Sequence, residues 1–254
     1  MKARIGGVPY GVGAPLLAGL AGNPEVELLQ LPPAQLIEPL RRGDLDAALL
    51  SSIEAIRHPG YRVVADIGIA CKHEIRSVRA FRRPGAPIRS VGLDRSSATS
   101  TTLLQLLLNG PRKPDTEGPI DYTEIAPTRR PGDLPHDLMM LIGDDGLHAD
   151  ATGLETWDLG SEWRQWTGLP FVFALWLLPR QSDPRRIVPL LRQARQHGHS
   201  LRTTDGTHGA VHYDLDQEDI RGLHRFWQDA RTAGLGRRDI EPELVTETLE
   251  GASE

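Results

Sequence analysis

The stretch that decides the fold class covers residues 88–108, IRSVGLDRSSATSTTLLQLLL. Its apolar start, Ile88–Leu93, predicts a buried strand, and Thr99–Leu108 predicts a helix that ends at Asn109-Gly110. Hydroxyl side chains cluster between them, from Ser96 to Thr102. The N–H groups and the dipole at a helix start favour an anion, whereas simple capping of the helix needs only one hydroxyl. We therefore predict a carboxylate or phosphate site here, with capping alone as the alternative.

The same alternation of strands and helices continues in both directions from this stretch. Predicted strands cover residues 4–10, 26–31, 46–50 and 138–142, and predicted helices cover residues 15–21, 33–42, 184–197 and 216–233. Such alternation is typical of an α/β fold with largely parallel sheets. The strand 46–50 leads into Ser51 and Ser52, at the strand end where open α/β sheets bind their ligands.

Two further strand-like runs, 75–81 and 171–178, bracket a middle segment that has its own strands and helices. This arrangement predicts a second lobe reached by two crossings of the chain. We expect one lobe to consist of residues 1–83 and 176–254, and the other of residues 84–175.

Composition excludes several classes of function. The 254 residues include 29 Lys and Arg against 34 Asp and Glu, a net charge of −5, which argues against a basic nucleic-acid groove. The longest apolar run, Phe171–Leu178, is far shorter than the roughly 20 residues that cross a bilayer. The start of the sequence lacks the pattern of a secretory signal, so we expect a cytoplasmic protein without a membrane partner. The single cysteine, Cys71, lies in an apolar segment and is predicted to be buried.

Three other motifs contain residue types that can bind cofactors or metals. Gly11-Val12-Gly13 resembles a dinucleotide loop, but Leu16 occupies the place of the third glycine. Asp144 and Asp145 follow a predicted strand, where paired acids can bind a divalent ion, share a proton or cap a helix. The close-spaced histidines lie in a glycine-rich stretch and are interpreted as solvated loop residues, so no metal site is predicted; they are His197, His199, His208 and His212.

Four tryptophans fall between residues 157 and 176, around the second predicted crossing. Aromatic density of this kind is usual in a core. Beside a crossing it can also form the wall of a pocket shared by two lobes, and we expect Phe173 to contribute to such a wall.

Four motifs, in this order, carry a family resemblance. They are Asp94–Ser100, Ile142–Leu147, Trp166–Ala174 and the segment Tyr213–Phe226, and together they resemble the chorismate dehydratases of the futalosine route to menaquinone. The resemblance extends over nearly the whole chain. It implies a two-lobed periplasmic-binding-protein fold of type 2. It also implies a lyase reaction without cofactor, in which chorismate loses water to give 3-[(1-carboxyvinyl)oxy]benzoate.

This reaction requires removal of a ring hydrogen and departure of the neighbouring hydroxyl. Asp144 is the candidate base, and the enolpyruvyl carboxylate of the substrate itself is the alternative. The residues expected to contact the substrate, a small dicarboxylate, are Tyr10, Ser51, Ser52, Ser77, Ser97, Thr99, Ser100, Gly143 and Phe173.

The chain departs from the family pattern at one place. Many members carry Tyr-x-Asn in the first loop, with the asparagine near the substrate, whereas this chain has Tyr10-Gly11-Val12. A side-chain amide is therefore missing at Val12, which leaves Tyr10, Gly13 or backbone groups to take its place.

Two other functions remain open at this stage. The sister cyclase that acts on dehypoxanthine futalosine places a His-Glu pair where this chain has Gly143-Asp144, and a Pro-Leu-Pro-Leu-Gly run where this chain has residues 170–174. A solute-binding protein without catalytic activity is the second alternative, because the implied fold is that of transport receptors. The lack of an export signal argues against it.

Overall fold

The computed structural model describes residues 1–85, 87–113, 118–201 and 207–245, which form two β-sheets with helices packed on them. The strands are β1 Ala3–Gly7, β2 Val26–Gln30, β3 Ala47–Ser51, β4 Tyr61–Cys71, β5 Val78–Arg82, β6 Ser90–Asp94, β7 Asp121–Ile125, β8 Leu138–Ile142, β9 Glu155–Asp158, β10 Phe171–Pro179, β11 Val211–Asp214 and β12 Glu243–Val245. The helices are α1 Ala14–Leu17, α2 Pro33–Arg42, α3 Ala98–Asn109, α4 Gly143–Leu147, α5 Leu159–Thr167, α6 Pro184–His197 and α7 Gln217–Thr232.

Both sheets are mixed, which corrects the expectation of largely parallel sheets. In the first sheet, ordered β11-β4-β10-β3-β1-β2 with β12 beside β4, strand β10 runs antiparallel to β3 and β4. In the second, ordered β7-β6-β8-β5-β9, strand β5 runs antiparallel to β8 and β9. The reason is that β5 begins beside the end of β8, and β10 begins beside the ends of β3 and β4, where the chain crosses between the sheets.

Sheet membership also differs from the predicted boundaries after residue 83 and before residue 176. Strand β5 precedes the first boundary but pairs with β8 in the second sheet, and β10 begins before the second boundary but pairs with β3 and β4 in the first sheet. Pairing therefore puts the crossings at residues 72–77 and 168–170. Of the predicted first lobe, residues 202–206 and 246–254 lie outside the described residues.

Helix α3 belongs to the second lobe, but its first turn is fastened to the first lobe. Thr99 Oγ1 accepts a hydrogen bond from the Ile53 N–H at 3.2 Å and lies 3.3 Å from Ser52 Oγ. Ser52 Oγ also donates to the Val172 carbonyl oxygen at 2.7 Å. Trp227 of α7 donates to the Ser52 carbonyl oxygen at 3.0 Å. One hydrophobic core continues around these contacts from the first sheet into the second.

Helix α7 begins with a reciprocal cap. The Asp216 side chain accepts hydrogen bonds from the Glu218 and Asp219 N–H groups, and the Asp219 carboxylate accepts one from the Asp216 N–H. A hydrogen bond from Lys72 holds the pKa of Asp216 at about 2, below its usual 3.8. The ionised carboxylate is thus the form that stabilises the helix.

We expect Asp216→Ala to lower the free energy of unfolding by about 1 kcal/mol, which corresponds to about 2–4 °C in Tm. Because the folded-state pKa is depressed, this stabilisation is present above the ordinary pKa of 3.8 and is lost as the pH falls toward 2. Calorimetry at neutral and acidic pH measures both effects. The matched control is Asp229→Ala on the same helix, which removes only an i,i+4 pair with Arg225, about 0.3–0.5 kcal/mol. Equal losses in the two variants would contradict the capping role.

Candidate active site

A cavity of about 60 Å³ lies between the two sheets, and we call it the interlobe cavity. Seven of the nine residues predicted to contact the substrate line it: Tyr10, Ser51, Ser77, Ser97, Ser100, Gly143 and Phe173. The rest of the lining is apolar, apart from backbone groups, and no charged side chain of the described residues contributes to it. Substrate contact by these seven residues stays a prediction, but the fold brings them to one place.

Four serines from three different segments line the cavity. Ser51 ends β3, Ser77 lies on the first crossing, and Ser97 and Ser100 belong to the start of α3. Ser97 caps α3 by accepting from the Ser100 N–H at 3.3 Å, and the two hydroxyl oxygens lie 2.9 Å apart. Ser97 therefore caps α3 and also lines the cavity.

Ser77 is the cavity-lining serine whose hydroxyl is both buried and without a hydrogen-bond partner among the described residues. A buried polar group without a partner costs about 1–3 kcal/mol. A ligand oxygen in the cavity would accept a hydrogen bond from this hydroxyl, so Ser77 is a candidate hydrogen-bond donor to a ligand.

Tyr10 closes the cavity from the first lobe by contacting the second. Burial raises the pKa of its hydroxyl above the ordinary value, a side-chain hydrogen bond with Ser96 lowers it, and the charges of Asp94 and Asp144 raise it further. The Tyr10 ring lies against Gly143, whose φ of 64° is in the left-handed region. A Cβ atom at Gly143 would lie 3.1 Å from Tyr10 Cδ1, so glycine allows this close approach.

Asp94, which the sequence did not single out as a site residue, holds the loops of the second lobe together. It is completely buried at the end of β6. One carboxylate oxygen accepts from the Ser96 N–H at 2.9 Å, and the other accepts from the Ile142 N–H at 3.3 Å. Burial raises the pKa of Asp94, against the lowering effect of these hydrogen bonds. Its position inside the Asp94–Ser100 motif was the available signal.

Ser52 and Thr99 do not line the cavity. Both are completely buried, and their hydroxyls are engaged in the contacts that fasten α3 to the first lobe. The chain turns into a short 3₁₀ helix at Ser52, so Ser51 faces the cavity and its neighbour faces the core. The structure thus gives these two hydroxyls a structural position rather than the predicted contact with substrate.

Asp144 lies beside the cavity and half-buried at the start of α4. Its Oδ1 atom faces Gly11, at 3.4 Å from the point that a Cβ atom there would occupy. Asp145 turns away and pairs with Arg129 at 3.0 Å. The two acids therefore do not form a paired site, and no group of three or more metal-ligand side chains occurs among the described residues.

Two of the four histidines interpreted as solvated loop residues are not solvated. His208 is buried, and His212 binds both carboxylate oxygens of the buried Asp219 at 2.9 Å. His197 and His199 are exposed, as predicted. Cys71 is buried, as predicted, and burial raises the pKa of its thiol well above the usual range.

A second cavity of about 170 Å³, the Arg95 cavity, shares Pro33, Ser51 and Ser97 with the first. Its lining contains two arginines and three carboxylates, those of Glu54, Asp94 and Glu124. Arg57 is engaged with the Leu235 carbonyl oxygen and with Thr102. Arg95 is exposed, and its guanidinium forms no hydrogen bond or ion pair with the residues that the structure describes. Sequence reasoning missed this cation, although it lies inside the Asp94–Ser100 motif.

Solved structures with a similar fold identify the fold class of this chain. A protein of Archaeoglobus fulgidus aligns with a TM-score of 0.68 and 14% identity, over 92% of this chain and 98% of its own. The periplasmic aliphatic sulphonate binding protein of Escherichia coli aligns with a TM-score of 0.63 and 14% identity, over 94% of this chain and 95% of its own. The fold is therefore the two-lobed periplasmic-binding-protein fold, as the sequence predicted.

Sequence comparison identifies a family within this fold class. A family model described as menaquinone biosynthesis matches residues 3–232. A curated chorismate dehydratase of Thermus thermophilus is 31% identical in an alignment 220 residues long, and the match covers 75% of this chain and 78% of that protein. The chain belongs to this menaquinone biosynthesis family. None of the helices in the described ranges has the length and apolar character needed to span a membrane.

Gly143 offers a test of the contact between Tyr10 and the second lobe. We expect Gly143→Ala to lower the free energy of unfolding more than Gly153→Ala. Both glycines have positive φ, 64° and 73°, so each substitution strains the backbone by about 1 kcal/mol. Only the Cβ at residue 143 meets a ring, because nothing lies within 4 Å of the one at residue 153. Denaturant unfolding of both variants makes the comparison, and equal losses would show that Tyr10 is not held against this loop.

Proposed function

We propose that this chain is a lyase that removes water from chorismate and releases 3-[(1-carboxyvinyl)oxy]benzoate in menaquinone biosynthesis. The family membership and the chorismate dehydratase relative support the proposal. The observation that carries it is the interlobe cavity, where four serines meet at the start of the twelve-residue helix α3 and one hydroxyl, that of Ser77, has no partner among the described residues. We also propose a cytoplasmic location, without nucleic acid or membrane as partner.

The substrate carries two carboxylates, and the two adjoining cavities offer two ways of binding an anion. One carboxylate would accept hydrogen bonds from Ser97, Ser100 and the N-terminal N–H groups of α3. Arg95 would hold the other in the Arg95 cavity. The two cavities have Pro33, Ser51 and Ser97 in common, and one carboxylate of the substrate would lie in each cavity.

The chemistry proceeds by elimination. A base takes the hydrogen on the ring carbon that bears the enolpyruvyl ether, and the neighbouring hydroxyl leaves as the ring becomes aromatic. Aromatisation supplies the driving force, so the proposed reaction calls for no redox step and no cofactor. The protein has to orient the substrate and stabilise the charge that develops on its ring carboxylate. Asp144 or the enolpyruvyl carboxylate of the substrate serves as the base.

Purified protein incubated with chorismate tests the proposal directly. The expected result is the aromatic product, seen as a change in ultraviolet absorbance and by mass. Chorismate binding without product would favour a solute-binding protein. Turnover of dehypoxanthine futalosine, with none of chorismate, would favour the sister cyclase. Either outcome would overturn the proposal.

Ser77→Ala separates binding from folding. Because the hydroxyl has no partner among the described residues, its removal should leave the free energy of unfolding unchanged or slightly higher. Turnover of chorismate should fall, with kcat/KM reduced about tenfold for one lost hydrogen bond. Ser52→Ala is the matched comparison, since it removes a bonded hydroxyl of the core and should lower the melting temperature instead. A loss of stability in Ser77→Ala with unchanged kcat/KM would contradict the assignment.

Arg95→Ala tests the second carboxylate site. We expect KM for chorismate to rise about tenfold or more with little change in kcat, because the cation binds ground state and transition state alike. The control is Arg89→Ala, at the opposite end of the same segment and likewise exposed. Steady-state kinetics on the two variants decides the matter, and an unchanged KM in Arg95→Ala would remove this residue from the site.

A further inference from the structure

One of the four motifs that carry the family resemblance, Tyr213–Phe226, contributes no residue to the described lining of the interlobe cavity or of the Arg95 cavity. Its first residue, Tyr213, lies on β11 and is buried. The Tyr213 hydroxyl donates a hydrogen bond to the Val12 carbonyl oxygen at 2.9 Å, across 201 positions of the chain. Val12 lines the interlobe cavity, so this motif contacts the site through a residue of its wall.

A single peptide group connects Tyr213 to Tyr10. The carbonyl that accepts from Tyr213 belongs to the peptide between Val12 and Gly13, and the N–H of the same peptide donates to the Tyr10 carbonyl oxygen at 2.9 Å. Because a peptide group is planar and rigid, its carbonyl and its N–H cannot move independently. Hydrogen bonds in such a chain also polarise and strengthen one another. The Tyr213 hydroxyl therefore fixes the backbone position of Tyr10.

Tyr10 connects this turn of the chain to the second lobe. It lines the interlobe cavity, and its ring lies against Gly143. A displacement of the Tyr10 backbone would move the ring away from Gly143 and change the wall that the substrate is proposed to contact. Tyr213, at the other end of the chain of hydrogen bonds, belongs to β11, which pairs with β4 in the first sheet. The position of Tyr10 is therefore set by the sheet and not by its own loop alone.

We propose that Tyr213 is a positioning residue, which holds Tyr10 in place for the substrate through the Val12–Gly13 peptide. This inference rests on the proposed function. Tyr213 touches neither the substrate nor the reacting atoms. It lowers the cost of binding, because the turn that carries Tyr10 is already in position before the substrate arrives. The alternative is a purely structural hydroxyl, which only completes the hydrogen bonding of the Val12 carbonyl group.

The test compares Tyr213→Phe with the wild type in kcat/KM for chorismate and in the pKa of Tyr10. We expect kcat/KM to fall about tenfold, the loss that corresponds to one hydrogen bond. Burial holds the pKa of the Tyr10 hydroxyl above its ordinary value of 10.0, so a displaced ring should show a pKa closer to that value. NMR of protein labelled with carbon-13 in its tyrosine rings measures this pKa without substrate, and the resonance is assigned by its absence in Tyr10→Phe.

Tyr61→Phe is the matched control. It removes the hydroxyl of another buried tyrosine of the same sheet, on β4, which lines neither cavity. This variant should keep the wild-type kcat/KM and the wild-type pKa of Tyr10.

Coupling between the two tyrosines is the second part of the test. In a Tyr10→Ala background, Tyr213→Phe should lower kcat/KM no further, because its effect is exerted through Tyr10. Single losses that multiply in the double variant would overturn the proposal. An unchanged kcat/KM or an unchanged pKa of Tyr10 in Tyr213→Phe would also overturn it. A lower melting temperature with both quantities unchanged is the result expected of a purely structural hydroxyl.

If Tyr213→Phe does not fold, Gly13→Ala takes its place. The φ of Gly13 is −87°, so alanine adopts this backbone without strain, but its Cβ atom would lie 2.5 Å from Val8 Cγ2 and therefore displaces the same peptide. The same fall in kcat/KM and the same change in the pKa of Tyr10 are expected, and an unchanged pKa overturns the proposal. Absence of turnover by the wild type would instead overturn the proposed function, and the pKa of Tyr10 would then show separately whether Tyr213 holds it.

Discussion

The site depends on the buried carboxylate of Asp94. This group accepts hydrogen bonds from the Ser96 N–H, in the loop after β6, and from the Ile142 N–H, at the end of the neighbouring parallel strand β8. The loop leads into Ser97 and Ser100, and the end of β8 leads into Gly143 and Asp144. Because one side chain is hydrogen-bonded to the backbone on both sides, it fixes the distance between the hydroxyls at the start of α3 and the residues at the start of α4. Burial of a carboxyl is costly, and the two backbone donors are what offset that cost.

The contacts between the lobes are distributed unequally around the cavity. On one side, the first turn of α3 is fastened to the first lobe by hydrogen bonds through Thr99 and Ser52, inside a continuous core. On the other side, Tyr10 contacts Ser96 and the bare backbone of Gly143. Opening of the cavity on the Tyr10 side breaks fewer buried hydrogen bonds than opening on the α3 side. Separation of the lobes on the Tyr10 side would therefore cost less than separation on the α3 side.

The helices and strands that could be predicted from sequence are those whose ends are marked by characteristic residues, such as a glycine that stops a helix. Helix α2 ends at Gly43, whose φ of 77° is the left-handed conformation that stops a helix, and α2 and α6 have the predicted bounds. Strand β4, by contrast, is eleven residues long and includes Asp66 and Gly68, which interrupt its apolar pattern, so it was missed. Antiparallel pairing of β5 and β10 depends on where the chain crosses between sheets, which local sequence does not encode.

The same limit applies to the site. Ser51 was predicted from its position at a strand end, Ser77 was one of the residues expected to contact the substrate, and both line the cavity. Ser52 differs from Ser51 by one residue, and only the turn that follows β3 determines which of the two faces the core. His208 lies in a glycine-rich stretch that is typical of a solvated loop, and its burial comes from packing against Gly11 and the Glu74 segment. Such contacts join residues that are far apart in the chain, so the spacing of residues within a motif cannot predict them.

A cavity lined by neutral hydroxyls suits the proposed elimination better than one lined by cations. An interaction accelerates a reaction only to the extent that it strengthens between the ground state and the transition state. A cation beside the ring carboxylate would bind the substrate strongly before any charge moves, whereas hydroxyl donors in an apolar lining gain most when charge accumulates on that carboxylate. Ser77 fits this requirement, because the fold has already met the cost of leaving its Oγ without a partner among the described residues. Of the two arginines in the adjoining cavity, Arg95 can fix the remote carboxylate without holding the ring in its ground state.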